Sequence, residues 1–162
     1  MKKHILAILV ENRPGVLSKV VGLFSRRAFN IHSLAVGVTE APAFSRITIV
    51  AEGDAYILEQ ISKQLNKLID VIKVSNISED SVAREMALIK VNATPATRNE
   101  IVEIVNIFRE KVVDISKTSV TIQVTGDSKK MAALEEMLRD FGIIEMVRTG
   151  MIAVDRGAKS IK

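Results

Sequence analysis

The sequence predicts an α+β fold made of two tandem βαββαβ sandwiches, one over residues 1–78 and one over 79–162. Three observations lead there. Short apolar runs of strand length alternate with stretches of helical periodicity in a fixed order, and that order occurs twice. Met131, Leu134, Leu138 and Phe141 follow Leu58, Ile61, Leu65 and Leu68 at a constant offset of 73 positions, which marks an internal repeat. A chain of 162 residues that is 48% hydrophobic can bury a core, and with only 4% aromatic residues that core must be built from Ile, Val, Leu and Met.

In the first half, Ile5 to Val10 is an apolar run closed by the turn-forming Glu11-Asn12-Arg13-Pro14-Gly15, the pattern of a buried strand and a tight connection. Val16, Leu17, Val20, Val21, Phe24 and Ala28 then recur at helical spacing, so a helix is expected to stop near Phe29-Asn30. Ile31 to Thr39 and Phe44 to Ala51 read as two strands of a hairpin around the breaker Glu40-Ala41-Pro42-Ala43. Asp54 can cap a second helix whose apolar face holds Ile57, Leu58, Ile61, Leu65, Leu68 and Ile69, and Val71 to Ile77 supplies the last strand. This order is that of a ferredoxin-like sandwich.

The second half repeats it. Met86 to Ala93 is expected as a strand, and Thr97 with Glu100 three residues on resembles a capping box ahead of a helix carrying Ile101, Ile104, Val105 and Phe108. Val112 to Lys117 and Val120 to Thr125 read as strands, Gly126-Asp127 opens another helix, and Ile143 to Val147 closes the unit. The polar stretch Ser78-Glu79-Asp80-Ser81 has little to offer a core, and the boundary is expected there.

Composition removes several classes of function. The formal charge is only +4 and basic residues occur as pairs, so no block or aromatic platform suits nucleic acid. The absence of Cys excludes disulfides, thiolate nucleophiles and Cys-based metal sites. His4 and His32 lack the spacing of a metal pair, and Glu79-Asp80 and Glu135-Glu136 are neighbours whose side chains diverge. No phosphate loop, dinucleotide fingerprint or nucleophile elbow occurs, so neither a catalytic constellation nor a metal site is expected. Glu11 interrupts the first apolar run before a signal peptide or membrane span is complete, and a cytoplasmic protein without membrane contact is the expectation.

One segment is unusual. Asn12-Arg13-Pro14-Gly15-Val16-Leu17 sets an amide side chain, a fixed φ and a bare backbone at a helix N-terminus. Free N–H groups and the positive dipole end could hold the carboxylate of an amino acid there, with Asn12 as donor and acceptor. An ordinary glycine turn is the alternative, and pattern alone leaves both open.

The run Val10-Glu11-Asn12-Arg13-Pro14-Gly15-Val16-Leu17-Ser18-Lys19-Val20 resembles the signature of the ACT domain, in which such a loop binds a regulatory amino acid. More narrowly, Gly22 to Arg27, Phe29 to Leu34, Ser45 to Thr48, Leu58 to Ile61 and Leu65 to Val71 are similar to the small subunit of acetohydroxyacid (acetolactate) synthase. Arg84 to Val91 and Ile107 to Arg109 extend the likeness into the second half. The resemblance implies a non-catalytic regulatory subunit of branched-chain amino-acid synthesis, with an N-terminal ACT domain and a C-terminal ferredoxin-like domain. It implies that the chain activates a large catalytic subunit and mediates feedback inhibition by valine or a related amino acid. Thiamine diphosphate, magnesium and FAD are then expected on that partner and none on this chain. It further implies a homodimer or larger assembly, with Asn12, Gly15, Val16 and Leu17 of one chain facing Asn30 and Ile31 of another. A stand-alone ACT-type amino-acid sensor is the alternative.

Overall fold

The computed structural model describes residues 2–162, which form two compact units. One holds the chain as far as Val82 together with Met151–Lys162, and the other is Ala83–Gly150.

The first unit contains β1 (Lys2–Glu11), α1 (Val16–Arg26), β2 (Ile31–Val38), β3 (Phe44–Gly53), α2 (Ala55–Asn66) and β4 (Val71–Ile77). Its sheet has the order β2-β3-β1-β4 with every neighbouring pair antiparallel. This is the ferredoxin-like arrangement expected from the sequence. β1 is buried throughout Leu6–Val10, and the alternation of strand side chains explains why the run is unbroken. Leu6, Ile8 and Val10 join Ile47, Ile49 and Ala51 beneath Val20, Leu23 and Phe24 of α1 and Ile61 and Leu65 of α2. Ala7 and Leu9 point the other way, alongside the buried Thr48 and Val50.

That second face is where the C-terminal segment runs. The Arg46 guanidinium donates to the Ala153 carbonyl, the Met151 N–H donates to Ser33 Oγ at 2.7 Å, and the Ser78 N–H donates to the Asp155 carboxylate at 2.9 Å. Burial lowers the Arg46 pKa and the nearby Asp155 charge opposes that shift. Ala153 and Ile161 are buried in turn. A short strand, β9 (Ile152–Asp155), lies in this segment and was not expected. The compact units thus differ from a cut between 78 and 79, because residues 151–162 group with the first unit, with Ala153 and Ile161 buried while Ile152 and Val154 stay exposed.

The second unit contains α3 (Arg98–Ile107), β6 (Lys111–Ile115), β7 (Ser119–Gly126), α4 (Ser128–Arg139) and β8 (Ile143–Arg148), and most of β5 (Ser81–Asn92). Its strand order β6-β7-β5-β8 repeats the first sheet. Ile89, Val91, Ile122 and Val124 pack with Ile101 and Val105 of α3 and with Met131, Leu134 and Leu138 of α4. The repeat extends to the helix starts: Asp54 accepts the Ile57 N–H at 2.9 Å, and Asp127 accepts the Lys130 N–H at 2.8 Å. Each Asp follows a glycine, and a Cβ on Gly53 or Gly126 would come within 2.7 Å of the Ile57 or Lys130 side chain.

Local expectations differ from the fold at several places, beginning with β5, which starts at Ser81 within the expected boundary and not at Met86. α1 ends at Arg26, because Ala28 takes φ 53° and turns the chain into β2; Leu23 replaces Ala28 on the buried face. α2 ends at Asn66, leaving Ile69 outside the helix and 92% exposed. Thr97 makes no capping bond into α3; it exchanges hydrogen bonds with Thr94, whose N–H reaches Thr97 Oγ1 at 2.9 Å. The turn before the helix therefore uses the hydroxyl that the capping box required.

Replacing the buried Leu134 by Ala is expected to cost about 2–5 kcal/mol, and Met137→Ala, on the exposed side of the same helix, about 0.5 kcal/mol or less. Urea unfolding of the two variants checks this; equal losses would contradict the assigned helix face.

Candidate effector site

The connection from β1 to α1 is held from two sides. The Asn12 N–H donates to the Ala43 carbonyl at 2.8 Å and its Nδ2 to the Pro42 carbonyl at 3.0 Å, which fastens the loop to the β2–β3 turn. Asn12 Oδ1 meets no protein donor among the described residues and stays available as an acceptor. Gly15 precedes α1 with φ 85°, a left-handed conformation that costs an L-residue about 1–2 kcal/mol. A Cβ there would meet nothing within 4 Å, so the requirement for glycine is conformational and the space beside it is open.

The first helical hydrogen bond runs from the Lys19 N–H to the Gly15 carbonyl at 3.1 Å. The Val16 N–H makes a long 3.4 Å contact with the Arg13 carbonyl, and those of Leu17 and Ser18 have no acceptor among the described residues. These are the free donors that a carboxylate could occupy. The Val16 side chain belongs to the core, so this residue can offer a ligand only its backbone. Leu17, 41% exposed, is the apolar side chain at the mouth of the helix.

Asp70, between α2 and β4, anchors the other side of the loop. Its backbone carbonyl accepts the Glu11 N–H at 2.9 Å. Its carboxylate, on a residue only 5% exposed, accepts from Lys19 Nζ at 2.8 Å and from the Arg13 guanidinium, which also pairs with Glu11 at 2.6 Å. The hydrogen bonds from Lys19 and then Arg13 hold the Asp70 carboxyl below its ordinary value of 3.8. Nothing in the local pattern around Leu68-Ile69-Asp70-Val71 exposes this role. Its partners lie 57 and 51 positions away, and only a lone acid between apolar neighbours hints at it.

The other two expected residues lie elsewhere. Asn30 is exposed and Ile31 half-buried, at the start of β2. Ile31 is level with Ala51 of β3 and hence with His4 of β1, whereas the loop follows Glu11. At about 3.4 Å per residue, the two halves of the expected site are roughly 24 Å apart along the strand direction. One chain therefore brings together Asn12, Gly15, Val16 and Leu17 but not Asn30 or Ile31. Near the latter, His32 meets Glu52 at 2.8 Å and Asn30 at 3.4 Å, and hydrogen bonding to His32 lowers the Glu52 pKa. No group of three His, Asp or Glu side chains that could hold a metal ion occurs among the described residues, and no helix is long and apolar enough to cross a membrane.

The loop, the helix end and the sheet they sit on match known proteins over the whole chain. Residues 6–73 match the family described as the AHAS small subunit-like ACT domain, and residues 84–157 that described as the small subunit of acetolactate synthase. A probable acetolactate synthase small subunit of Archaeoglobus fulgidus is 57% identical over 97% of this chain and 99% of its own. The chain belongs to the acetolactate synthase small-subunit family. An acetolactate synthase small subunit of Mycolicibacterium smegmatis is 54% identical over 98% of this chain and 94% of its own. The crystal structure of an acetolactate synthase small subunit from Thermotoga maritima covers 98% of this chain and 100% of its own at 42% identity and a TM-score of 0.92. Membership makes this a regulatory subunit with an ACT domain, and the loop from Asn12 to Leu17 lies within that domain.

The depressed Asp70 pKa has a definite sign. Its ionised form is stabilised in the fold, so the contribution is complete above the unfolded value near 3.8 and is lost as pH falls through the lower folded value. Asp70→Asn is expected to flatten the pH dependence of stability below about pH 4. Acid unfolding followed by circular dichroism checks this, and superimposable slopes for parent and variant would refute it.

Proposed function

We propose that this chain is the non-catalytic regulatory subunit of an acetolactate synthase, binding the large catalytic subunit, raising its activity and transmitting inhibition when valine or a related amino acid binds the ACT domain. Thiamine diphosphate, magnesium and FAD belong, in this reading, to the catalytic partner, and the complex works in the cytoplasm. The observation that carries the effector site is the separation of its two halves within one chain. Asn30 and Ile31 sit at one end of the sheet and Asn12 to Leu17 at the other, so a pocket that uses both sets would have to be shared between two chains.

The edge strand β2 supports the geometry. Among the described residues it has no neighbouring strand on its outer side, and it leaves Val36 and Val38 47% and 61% exposed. Antiparallel pairing of β2 with its copy about a two-fold axis would set Ile31 of one chain level with Val38 of the other. Val38 is in register with Ser45, next to the β2–β3 turn to which the loop is tied. Two equivalent pockets follow from the symmetry. Valine's carboxylate would take the Leu17 and Ser18 N–H groups, its ammonium would meet Asn12 Oδ1, and its isopropyl group would lie against Leu17 and the partner's Ile31. Selectivity among branched side chains should be modest, since one methylene is worth about 1–3 kcal/mol. Inhibition then requires only that valine prefer one arrangement of the assembly over another.

Mixing purified chain with its large subunit is expected to give a complex with raised acetolactate formation that valine suppresses. No complex and no change in activity would leave a stand-alone sensor. Calorimetric titration of the chain with valine checks the site: Asn12→Ala and Gly15→Asp are each expected to weaken binding about tenfold or more while the chain remains folded and dimeric. Parent-like affinity in both variants would remove the site from this loop.

A further inference from the structure

Four charged side chains meet beside the loop proposed to hold the effector: Glu11 at the end of β1, Arg13 in the loop, Lys19 of α1 and Asp70 ahead of β4. Arg13 and Lys19 are cationic and largely exposed, at 57% and 61%; both reach Asp70, and Arg13 also reaches Glu11. Two cations and two anions leave the cluster with no net charge. Around it, the free N–H groups of Leu17 and Ser18 and the dipole of α1 still attract a carboxylate, but without a whole positive charge beside them.

This balance discriminates between two ligands of nearly the same shape. Valine and its 2-oxo acid counterpart, 3-methyl-2-oxobutanoate, share the carboxylate and the isopropyl group. The amino acid is a net-neutral zwitterion and the oxo acid carries a net negative charge. A free Arg13 or Lys19 at the helix end would favour the anion, because its carboxylate brings no ammonium to be repelled. We infer that Asp70 is a specificity-determining residue of the effector site: by binding Arg13 and Lys19 it keeps the site neutral and so selects the amino acid over the corresponding 2-oxo acid. Discrimination by charge separates these two ligands where discrimination by side-chain shape could not, because they share the isopropyl group. The inference rests on the reading that the effector binds at Asn12 to Leu17.

The test compares valine with 3-methyl-2-oxobutanoate on the full chain by calorimetry, reading the ratio of the two affinities. In Asp70→Asn, valine's advantage is expected to shrink about tenfold, because one positive charge is uncovered. Adding Arg13→Gln to that variant should restore the ratio even if both affinities stay low. Lys19→Met, a change on an exposed helix position that leaves the buried anchor in place, should move the ratio the other way. A role limited to holding the loop in shape would lower both affinities together and leave the ratio constant. A constant ratio in Asp70→Asn and Lys19→Met, with valine still sensitive to Asn12→Ala, overturns the inference and leaves the site standing. Valine binding that is absent in the parent, or indifferent to Asn12→Ala, overturns the site and the inference with it.

Discussion

The first unit depends on a central strand that is buried on both faces and hydrogen-bonded on both edges. β1 pairs with β3 on one side and β4 on the other, and Leu6 to Val10 lose nearly all contact with water. Removing a Leu or Ile side chain from water is worth about 1.5–3 kcal/mol, so this strand concentrates much of the unit's stabilisation in five residues. Its satisfied ladder also fixes where the chain must leave the sheet. The Asn12 to Gly15 loop emerges from the most constrained strand of the unit and feeds directly into α1. A ligand group placed there is positioned by the core and not by a free-standing loop.

The loop itself is held by contacts remote in sequence. Asn12 reaches the β2–β3 turn, and Asp70 collects Arg13 and Lys19 from either side of Gly15. These bonds use the polar groups of the loop that would otherwise compete for the helix end, and they leave the Leu17 and Ser18 N–H groups free. A helix terminus normally satisfies such donors with a capping side chain, as Asp54 and Asp127 do for α2 and α4. α1 has a glycine at that position and no side-chain cap. Within each unit one helix start is capped by Asp and the other is not: α2 and α4 carry the cap, α1 and α3 do not.

Much of the fold was legible in the sequence because its signals are periodic and local. β4 has the expected bounds, the helix faces of α3 and α4 are as the spacing predicts, and the 73-residue offset extends to the two capping Asp residues. The misreadings share a cause: a residue was assigned by its neighbours when a distant contact or a backbone turn decided it. Ala28 fits the helical spacing of α1 but turns the chain with a positive φ, and Thr97 looks like a cap but bonds to Thr94. Among the residues of the β1–α1 connection, the turn chemistry of Asn12 and Gly15 is matched by the Asn12–Pro42 hydrogen bond and the positive φ of Gly15. Val16 and Leu17 open α1 as the helical spacing predicts, but Val16 is buried and Leu17 is exposed.

By itself, the sequence determined the class of fold, the internal repeat and the presence of a glycine turn ahead of a helix, since each is written in residues close together along the chain. Tertiary structure decided what those elements meet. It brought Asp70 under Arg13 and Lys19, sent residues 151–162 back to the first unit, and set Asn30 and Ile31 at the far end of the sheet from the Asn12–Leu17 loop of the same chain. Burial and ion pairing act through space between residues many positions apart, and pattern along a chain cannot register them.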